Sequence, residues 1–144
     1  MRYKEKGQVH KDFHLCTDTT IKFILRKYGK GFLKSLFERT AQRVYKDIYK
    51  HLKRGNVKPL LEHWKYYFNR EKGKYKVIKY ADNITFSVKS CPAVNHIKNK
   101  GIKFSPCFCL QTSLMNEGWS KGTPFKIVTQ KVKDNSCRQI IRKK

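Results

Sequence analysis

The sequence predicts an α+β fold, in which N-terminal helices pack with an antiparallel four-stranded sheet in a single domain. Two observations predict it. In the first half of the chain, apolar residues recur at steps of three and four, as on one face of a helix. Beyond Gly73 they alternate with polar residues, as in strands with one buried face. The 144 residues suit one domain with a helical part (17–73) and an α+β part (74–144) that holds four of the five cysteines.

Two of the predicted helices precede residue 55. Residues 1–16 show no clear period and are expected to form an arm. The first helix begins near Thr19, where hydroxyl and carboxylate side chains of residues 17–20 can cap its free amides, and it breaks at Tyr28-Gly29. The second helix is the longest and spans residues 30–54. Its apolar stripe consists of Leu33, Leu36, Phe37, Ala41, Val44, Ile48 and Leu52.

A third helix and two hairpins follow. Pro59 suits the first turn of the third helix, which stops at Gly73. Two further helices lie between the hairpins; one runs from Cys91-Pro92 to about residue 99, and the other from Ser105-Pro106 to about residue 116. The predicted strands are residues 75–80, 84–88, 125–132 and 137–141.

The net charge is +24, from 34 Lys and Arg against 10 Asp and Glu. Such a charge attracts polyanions without specificity. The lysines are scattered through every segment, the longest basic run is 142–144, and no nucleic-acid-binding motif is recognisable. We therefore expect a solvated basic surface and no specific nucleic-acid partner.

The sequence predicts a cytoplasmic protein without a membrane segment. No run approaches the roughly 20 apolar residues that span a bilayer, and residues 1–13 are polar. Cytoplasmic thiols are usually reduced, and an odd number of cysteines, five, argues against a disulfide framework. The sequence leaves the oligomeric state open.

Cys91 is the strongest candidate for a reactive residue. Pro92 suits the first position of a helix, so Cys91 lies at or beside the helix N-cap. The free amides and the helix dipole stabilise a thiolate there. His96 is the nearest base in sequence, but five residues place it about 140° around the helix, so a Cys91–His96 dyad requires the thiol to fold back. The alternatives are a buried cysteine at a strand–helix junction and a packing histidine.

The other cysteines in this segment could belong to the same site. In a helix, Cys107 and Cys109 would point about 200° apart, so one could face a pocket while the other packs elsewhere. Cys137 would begin the last strand, and Cys91, Cys109 and Cys137 could converge. Paired C-x-x-C spacings are absent, and we predict no metal and no cofactor.

Several polar residues could complete a small pocket. Gln111, Thr112, Asn116 and Trp119 could line it, and Arg138 or a lysine could hold a substrate carboxylate. The remaining candidates in the helical half are expected on helix faces or on the solvated surface, without a catalytic role. They are His14, His51, His63 and Glu71.

The C-terminal half resembles the L-2-amino-thiazoline-4-carboxylic acid hydrolase family. The matching features are Cys91-Pro92 after a strand, a short helix to Gly101, Cys109 in the following helix, and Cys137 after the polar turn Asp134-Asn135-Ser136. The resemblance covers residues 75–142, and Ala93 and the additional Cys107 depart from the family pattern.

The resemblance implies hydrolytic opening of a small cyclic isothiourea, in which water adds to the carbon between the ring sulfur and nitrogen. It implies Cys91 as nucleophile, His96 or Cys109 as proton carriers, and a lysine or Arg138 to hold the substrate carboxylate. We expect Cys137, Gln111 and Asn116 to complete the substrate-binding residues. The alternative is a non-catalytic module that binds a small molecule or a metal in a cysteine-lined pocket.

Overall fold

The structure is a computed structural model that describes residues 12–133 and 135–144. Of the arm predicted for residues 1–16, positions 1–11 lie outside the described residues. From Phe13 onward the chain is helical, so the last part of that arm belongs to a helix.

Helix α1 spans Phe13–Arg39 and begins earlier than the sequence predicted. Thr17 does not cap it: its hydroxyl donates to the carbonyl of Phe13 at 2.8 Å, within the helix. Asp18 is buried and pairs with Lys22 one turn on, which makes it a helix-face residue instead of a cap. The predicted break is confirmed, because Gly29 adopts φ 77° and ψ 176° and kinks the helix.

The predicted helix over residues 30–54 is not continuous. A π-helical turn spans Thr40–Val44, and helix α2 then spans Lys46–Lys53. The extra residue of a π turn rotates the chain that follows, and Val44, expected in the buried stripe, is 68% exposed. Ile48 and Leu52, further along the predicted apolar stripe, are fully buried as predicted.

Helix α3 spans Lys58–Arg70, with Pro59 in its first turn as predicted. Helix α4 spans Pro92–Asn99 and follows Cys91. The helix predicted from Ser105-Pro106 begins instead as a 3₁₀ turn, Pro106–Cys109, and continues as helix α5, Leu110–Ser120. Ser105 caps the 3₁₀ turn by accepting from the amide of Cys107 at 3.2 Å.

Four strands form one antiparallel sheet, in the order β1-β2-β4-β3, which confirms the predicted α+β class. The strands are β1 (Lys74–Lys79), β2 (Asn83–Ser90), β3 (Phe125–Lys133) and β4 (Ser136–Lys143).

The main core lies between the helices and one face of the sheet. Its centre is formed by buried apolar residues of α2, α3, α5 and the strands, among them Ile48, Leu60, Trp64, Phe86, Trp119 and Ile127. Helices α1, α3, α4 and α5 all contribute side chains to the wall of the cavity described next. Within residues 12–133 and 135–144, no helix has the length and apolar character needed to cross a membrane.

Candidate functional site

A cavity of about 320 Å³ lies between the helices and the sheet. Its wall contains many aromatic side chains, among them Tyr45, Trp64, Tyr67, Phe68, Phe108 and Trp119. Its principal polar groups are His14, His63, Glu71, Cys91, Gln111 and Asn116. A mainly apolar wall with a few polar groups is the usual composition of a small-molecule site.

One end of the cavity contains an acid–base pair. His14, in the first turn of α1, and Glu71, at the C-terminal end of α3, approach to 2.7 Å between Nε2 and Oε2. Their side chains are only 13% and 15% exposed. The Nε2 atom is thus committed to the carboxylate, and Nδ1 remains the ring nitrogen through which His14 could exchange a proton with a ligand.

Cys91 lies in the same wall and is the N-cap residue of α4, as the sequence predicted. The prediction that the helix N-terminus stabilises a Cys91 thiolate, and so lowers the pKa of this thiol, is wrong. Burial raises the pKa of the Cys91 thiol, although the amides of Val94 and Ala93 at the helix start act in the opposite direction. The negative charge of Glu71 also raises this pKa. Desolvation therefore outweighs the helix N-terminus, and the resting group is a thiol.

A chain of hydrogen bonds fixes the backbone at Cys91. Its amide donates to the carbonyl of Asn135 at 2.8 Å. The Asn135 side chain donates to Asn95 Oδ1 at 3.2 Å, and Asn95 Nδ2 donates to Ser90 Oγ at 2.7 Å. The polar turn between β3 and β4 thus holds the start of α4.

Cys107, Cys109 and Cys137 are not among the residues that line the cavity. Cys109 and Cys137 are near enough to Cys91 for each to feel its charge, whereas Cys107 packs against a separate cluster around Leu33. Burial raises the pKa of Cys109 and raises that of Cys137 to about 12. All five cysteines are free.

The opposite end of the cavity is built from aromatic rings in edge-to-face contact. His63 on α3 lies edge-on to Tyr45, Tyr67 and Trp119, with ring centroids 4.9, 4.8 and 5.8 Å away. Burial lowers the pKa of His63 to about 4, so the ring is neutral at physiological pH. Burial, followed by the nearby Tyr45, raises the pKa of Tyr67 to about 12.

Helix α5 and strand β4 close the floor of the cavity. Asn116 Nδ2 donates to Thr129 Oγ1 at 2.9 Å and to Gln139 Oε1 at 3.1 Å. Asn116 and Gln139 are buried, and both also line the cavity.

The structure separates the predicted site residues into two groups. Cys91, Gln111 and Asn116 line the cavity, as do Thr112 and Trp119. His96, Cys109, Cys137 and Arg138 lie outside its wall. The centroid of the His96 ring lies 6.1 Å from that of His14, but His96 itself does not line the cavity. Arg138 is exposed, and its side chain alternates away from the neighbouring Gln139, which faces the cavity.

Three cavity residues were expected on helix faces or on the surface. They are His14, His63 and Glu71. A usable signal existed for His14, because His14, Asp18 and Ile21 follow steps of four and three and continue the helical period back toward the N-terminus. The pairing of His14 with a residue 57 positions away has no local signal.

Across the described ranges, 12–133 and 135–144, no three His, Cys, Asp or Glu side chains are grouped so that they could hold a metal ion. Cys91, Cys109 and Cys137 are thus neighbours without forming a ligand set.

Comparison with known proteins gave no match to a family model, a curated protein or a solved structure. The resemblance to the L-2-amino-thiazoline-4-carboxylic acid hydrolase family therefore stays a prediction from the residues of the C-terminal half.

Proposed function

We propose that the protein is a hydrolase that opens the ring of a small cyclic amidine or isothiourea, such as 2-amino-thiazoline-4-carboxylate. The observation that carries the proposal is that a thiol, Cys91, and a hydrogen-bonded acid–base pair, His14–Glu71, line one cavity. The volume of about 320 Å³ lies near the lower end of small-molecule sites, which suits a substrate of one ring.

In this proposal Cys91 is activated by a neighbouring base. A thiol with a raised pKa is a weak nucleophile, so a proton acceptor must remove its proton as it attacks. His14 accepts that proton on Nδ1, and the Glu71 carboxylate stabilises the resulting imidazolium through Nε2. This assigns to His14 the proton transfer that the sequence assigned to His96 or Cys109.

The reaction then proceeds in two steps. From the imino tautomer of the substrate, whose ring nitrogen carries a hydrogen, the Cys91 sulfur bonds to the amidine carbon. The ring C–N bond then breaks as the exocyclic C=N double bond re-forms, and the imidazolium of His14 protonates the leaving nitrogen. Water, deprotonated by His14, next adds to the same carbon while the exocyclic nitrogen takes the proton from His14. The C–S bond to Cys91 then breaks as the added oxygen becomes a carbonyl, and the proton of that oxygen returns to the thiol. The sum is addition of one water to the substrate, with Cys91 and His14 regenerated. Reduced thiols are required, so we place the protein in the cytoplasm.

The direct test is ring opening of 2-amino-thiazoline-4-carboxylate by wild type, Cys91→Ala and Cys107→Ala. Cys107 is a matched control, because it is a half-buried cysteine that packs away from the cavity. We expect Cys91→Ala to reduce turnover by about 10³-fold or more, and Cys107→Ala to stay within a few-fold of wild type. A folded Cys91→Ala protein with near-wild-type turnover would exclude the nucleophile role, and an inert wild type would remove this substrate.

A second candidate function is non-catalytic binding of a small molecule. The raised pKa of Cys91 favours it, because a buried neutral thiol serves as well for a pocket wall as for catalysis. Saturable binding of a ring compound by calorimetry, without any product after long incubation, would favour this function over hydrolysis.

A further inference from the structure

Three aromatic side chains of α1 lie together on the surface of the domain. Phe23, Tyr28 and Phe32 are 45%, 50% and 50% exposed. Between centroids, the Tyr28 ring lies 5.0 Å from that of Phe32 and 6.3 Å from that of Phe23. These three residues are called the ring cluster of α1. An exposed apolar patch with polar residues around it is typical of an interaction site.

Positive charge is interleaved with these rings. Lys27 Nζ lies over two of them, 5.6 Å from the Phe23 centroid and 5.5 Å from the Tyr28 centroid. Arg26 and Lys27 follow Phe23 by three and four residues, so they share its face of the helix, and both are exposed. The segment 19–37 contains no Asp or Glu. This surface therefore presents aromatic rings and cations together.

The ring cluster is held on a fixed backbone. Ile21 and Leu33 of the same helix are 2% and 0% exposed and pack in one apolar cluster with Leu114 of α5. Between Tyr28 and Phe32, the kink at Gly29 sets the relative direction of the two parts of the helix. A surface formed before binding loses little conformational entropy when a partner associates with it.

We propose that the ring cluster and the cations beside it bind single-stranded nucleic acid without preference for base sequence. Bases stack on exposed aromatic rings, and phosphates attract Lys and Arg side chains. Stacking needs the flat face of a base, which a duplex uses in its own stack, so the rings favour a single strand. Binding that is independent of base sequence agrees with the lack of a recognisable nucleic-acid-binding motif.

An anionic membrane is the other polyanion that rings and cations could contact. A helix that lies in a membrane surface inserts a broad apolar face. In α1, Ile21 and Leu33 are committed to the interior of the domain. The Lys27 ammonium lies among the exposed rings, where insertion into lipid would remove it from water. The mixture of rings and charge therefore favours a nucleic acid.

The test is fluorescence anisotropy of a labelled single-stranded oligothymidylate of about 20 nucleotides, which exceeds common site sizes. Tyr28→Ala removes the central ring without changing the charge, and we expect it to weaken binding about ten-fold through lost stacking. Tyr80→Ala is the matched control, because Tyr80 is a tyrosine of similar exposure, 56%, next to the end of β1. We expect this control to bind like wild type.

The contribution of charge is measured with two double variants. Arg26→Gln with Lys27→Gln removes two positive charges at the ring cluster, and Lys46→Gln with Lys50→Gln removes two from the exposed face of α2. Both variants lower the net charge equally, so they change the non-specific attraction by a similar amount. We expect the first to weaken binding several-fold more than the second at the same salt concentration.

Three results would overturn the proposal. Equal affinities of Tyr28→Ala and Tyr80→Ala, both folded by circular dichroism, would exclude the ring cluster from binding. An abasic strand of the same length that binds as tightly as oligothymidylate would show attraction by charge alone. Loss of binding to phosphatidylserine vesicles in Tyr28→Ala, with oligothymidylate binding unchanged, would make a membrane the occupant. None of these measurements uses ring opening, so the proposed hydrolase function is tested separately.

Discussion

The two ends of the cavity contain the same residue type in opposite environments. At one end His14 is hydrogen-bonded to the Glu71 carboxylate, and Cys91 lines the same cavity, near enough for the charge of Glu71 to raise the pKa of its thiol. At the other end His63 lies among aromatic rings, and its pKa falls to about 4. A carboxylate partner stabilises an imidazolium, whereas burial among rings penalises it. The first end is therefore equipped for proton transfer and the second for packing a neutral ring against a ligand.

The largest effect is expected at the acid–base end. Glu71→Gln keeps the shape of the side chain but removes the charge that stabilises the His14 imidazolium, so ring opening should fall about 10²- to 10³-fold in kcat/KM. Glu62→Gln is the matched control, because Glu62 is an exposed carboxylate on the same helix α3. Equal activity of the two variants would mean that the two ends of the cavity do not differ in catalytic role.

The ring-lined end should make stability depend on pH. The pKa of His63 falls from 6.5 to about 4 on folding, so between these pH values the unfolded chain binds a proton at His63 that the folded chain does not. The free energy of unfolding keeps its full value above pH 6.5 and should fall by about 3 kcal/mol as the pH drops to 4.

His63→Leu removes this titration, and His51→Gln on the exposed face of α2 is its control. Urea unfolding at several pH values between 4 and 7 would measure the slope. A His63→Leu protein with the same acid sensitivity as the His51→Gln protein would contradict the neutral buried state of His63.

The position of α5 should affect the ring-lined end more than the acid–base end. In Gly118→Ala the new Cβ would meet the Ala41 Cβ and Glu38 Cα at 2.9 Å, and we expect a loss of about 1–3 kcal/mol in unfolding free energy. Gly31→Ala is the control, since its Cβ would meet nothing within 4 Å. Thermal denaturation separates the two, and a Gly118→Ala protein as stable as Gly31→Ala would show that α1 and α5 can separate freely.

The parts of the fold that could be predicted are those with local causes. Alternation of polar and apolar residues predicted both hairpins, and Gly29 predicted the kink in α1. The π turn at Thr40–Val44 has no such local signal, and it lies where α5 brings Gly118 against Ala41, a contact 77 residues apart in the chain. Contacts of that range are decided by packing of the whole domain.

The candidate site divides in the same way. Cys91 could be found because Pro92 marks the helix start next to it, and Gln111 and Asn116 because they share one predicted helix. The His14–Glu71 pair joins the first and third helices and is formed only on folding. The pKa of Cys91 also could not be predicted, because the helix N-terminus is a local effect and burial depends on the complete fold.

The smallest expected effect is on the alkylation rate of Cys91, and it distinguishes a resting thiol from a resting thiolate–imidazolium pair with His14. Glu71 raises the pKa of Cys91 by its negative charge, so Glu71→Gln should speed alkylation of Cys91 by iodoacetamide at pH 8 by a few-fold, on the order of 3. Cys137, buried with a pKa of about 12, is the internal control, because its pKa is governed by burial and by the other two thiols. Mass spectrometry of tryptic peptides gives both rates in one sample.

A slower Cys91 reaction in Glu71→Gln would mean that the resting protein holds a thiolate–imidazolium pair that Glu71 supports, because removing the carboxylate would then weaken the imidazolium and return the proton to sulfur. A faster reaction combined with the lost turnover would show that Glu71 opposes the thiolate at rest and is needed only once His14 has taken the proton. The same substitution thus changes reactivity and catalysis in opposite directions, which a purely structural Glu71 would not do.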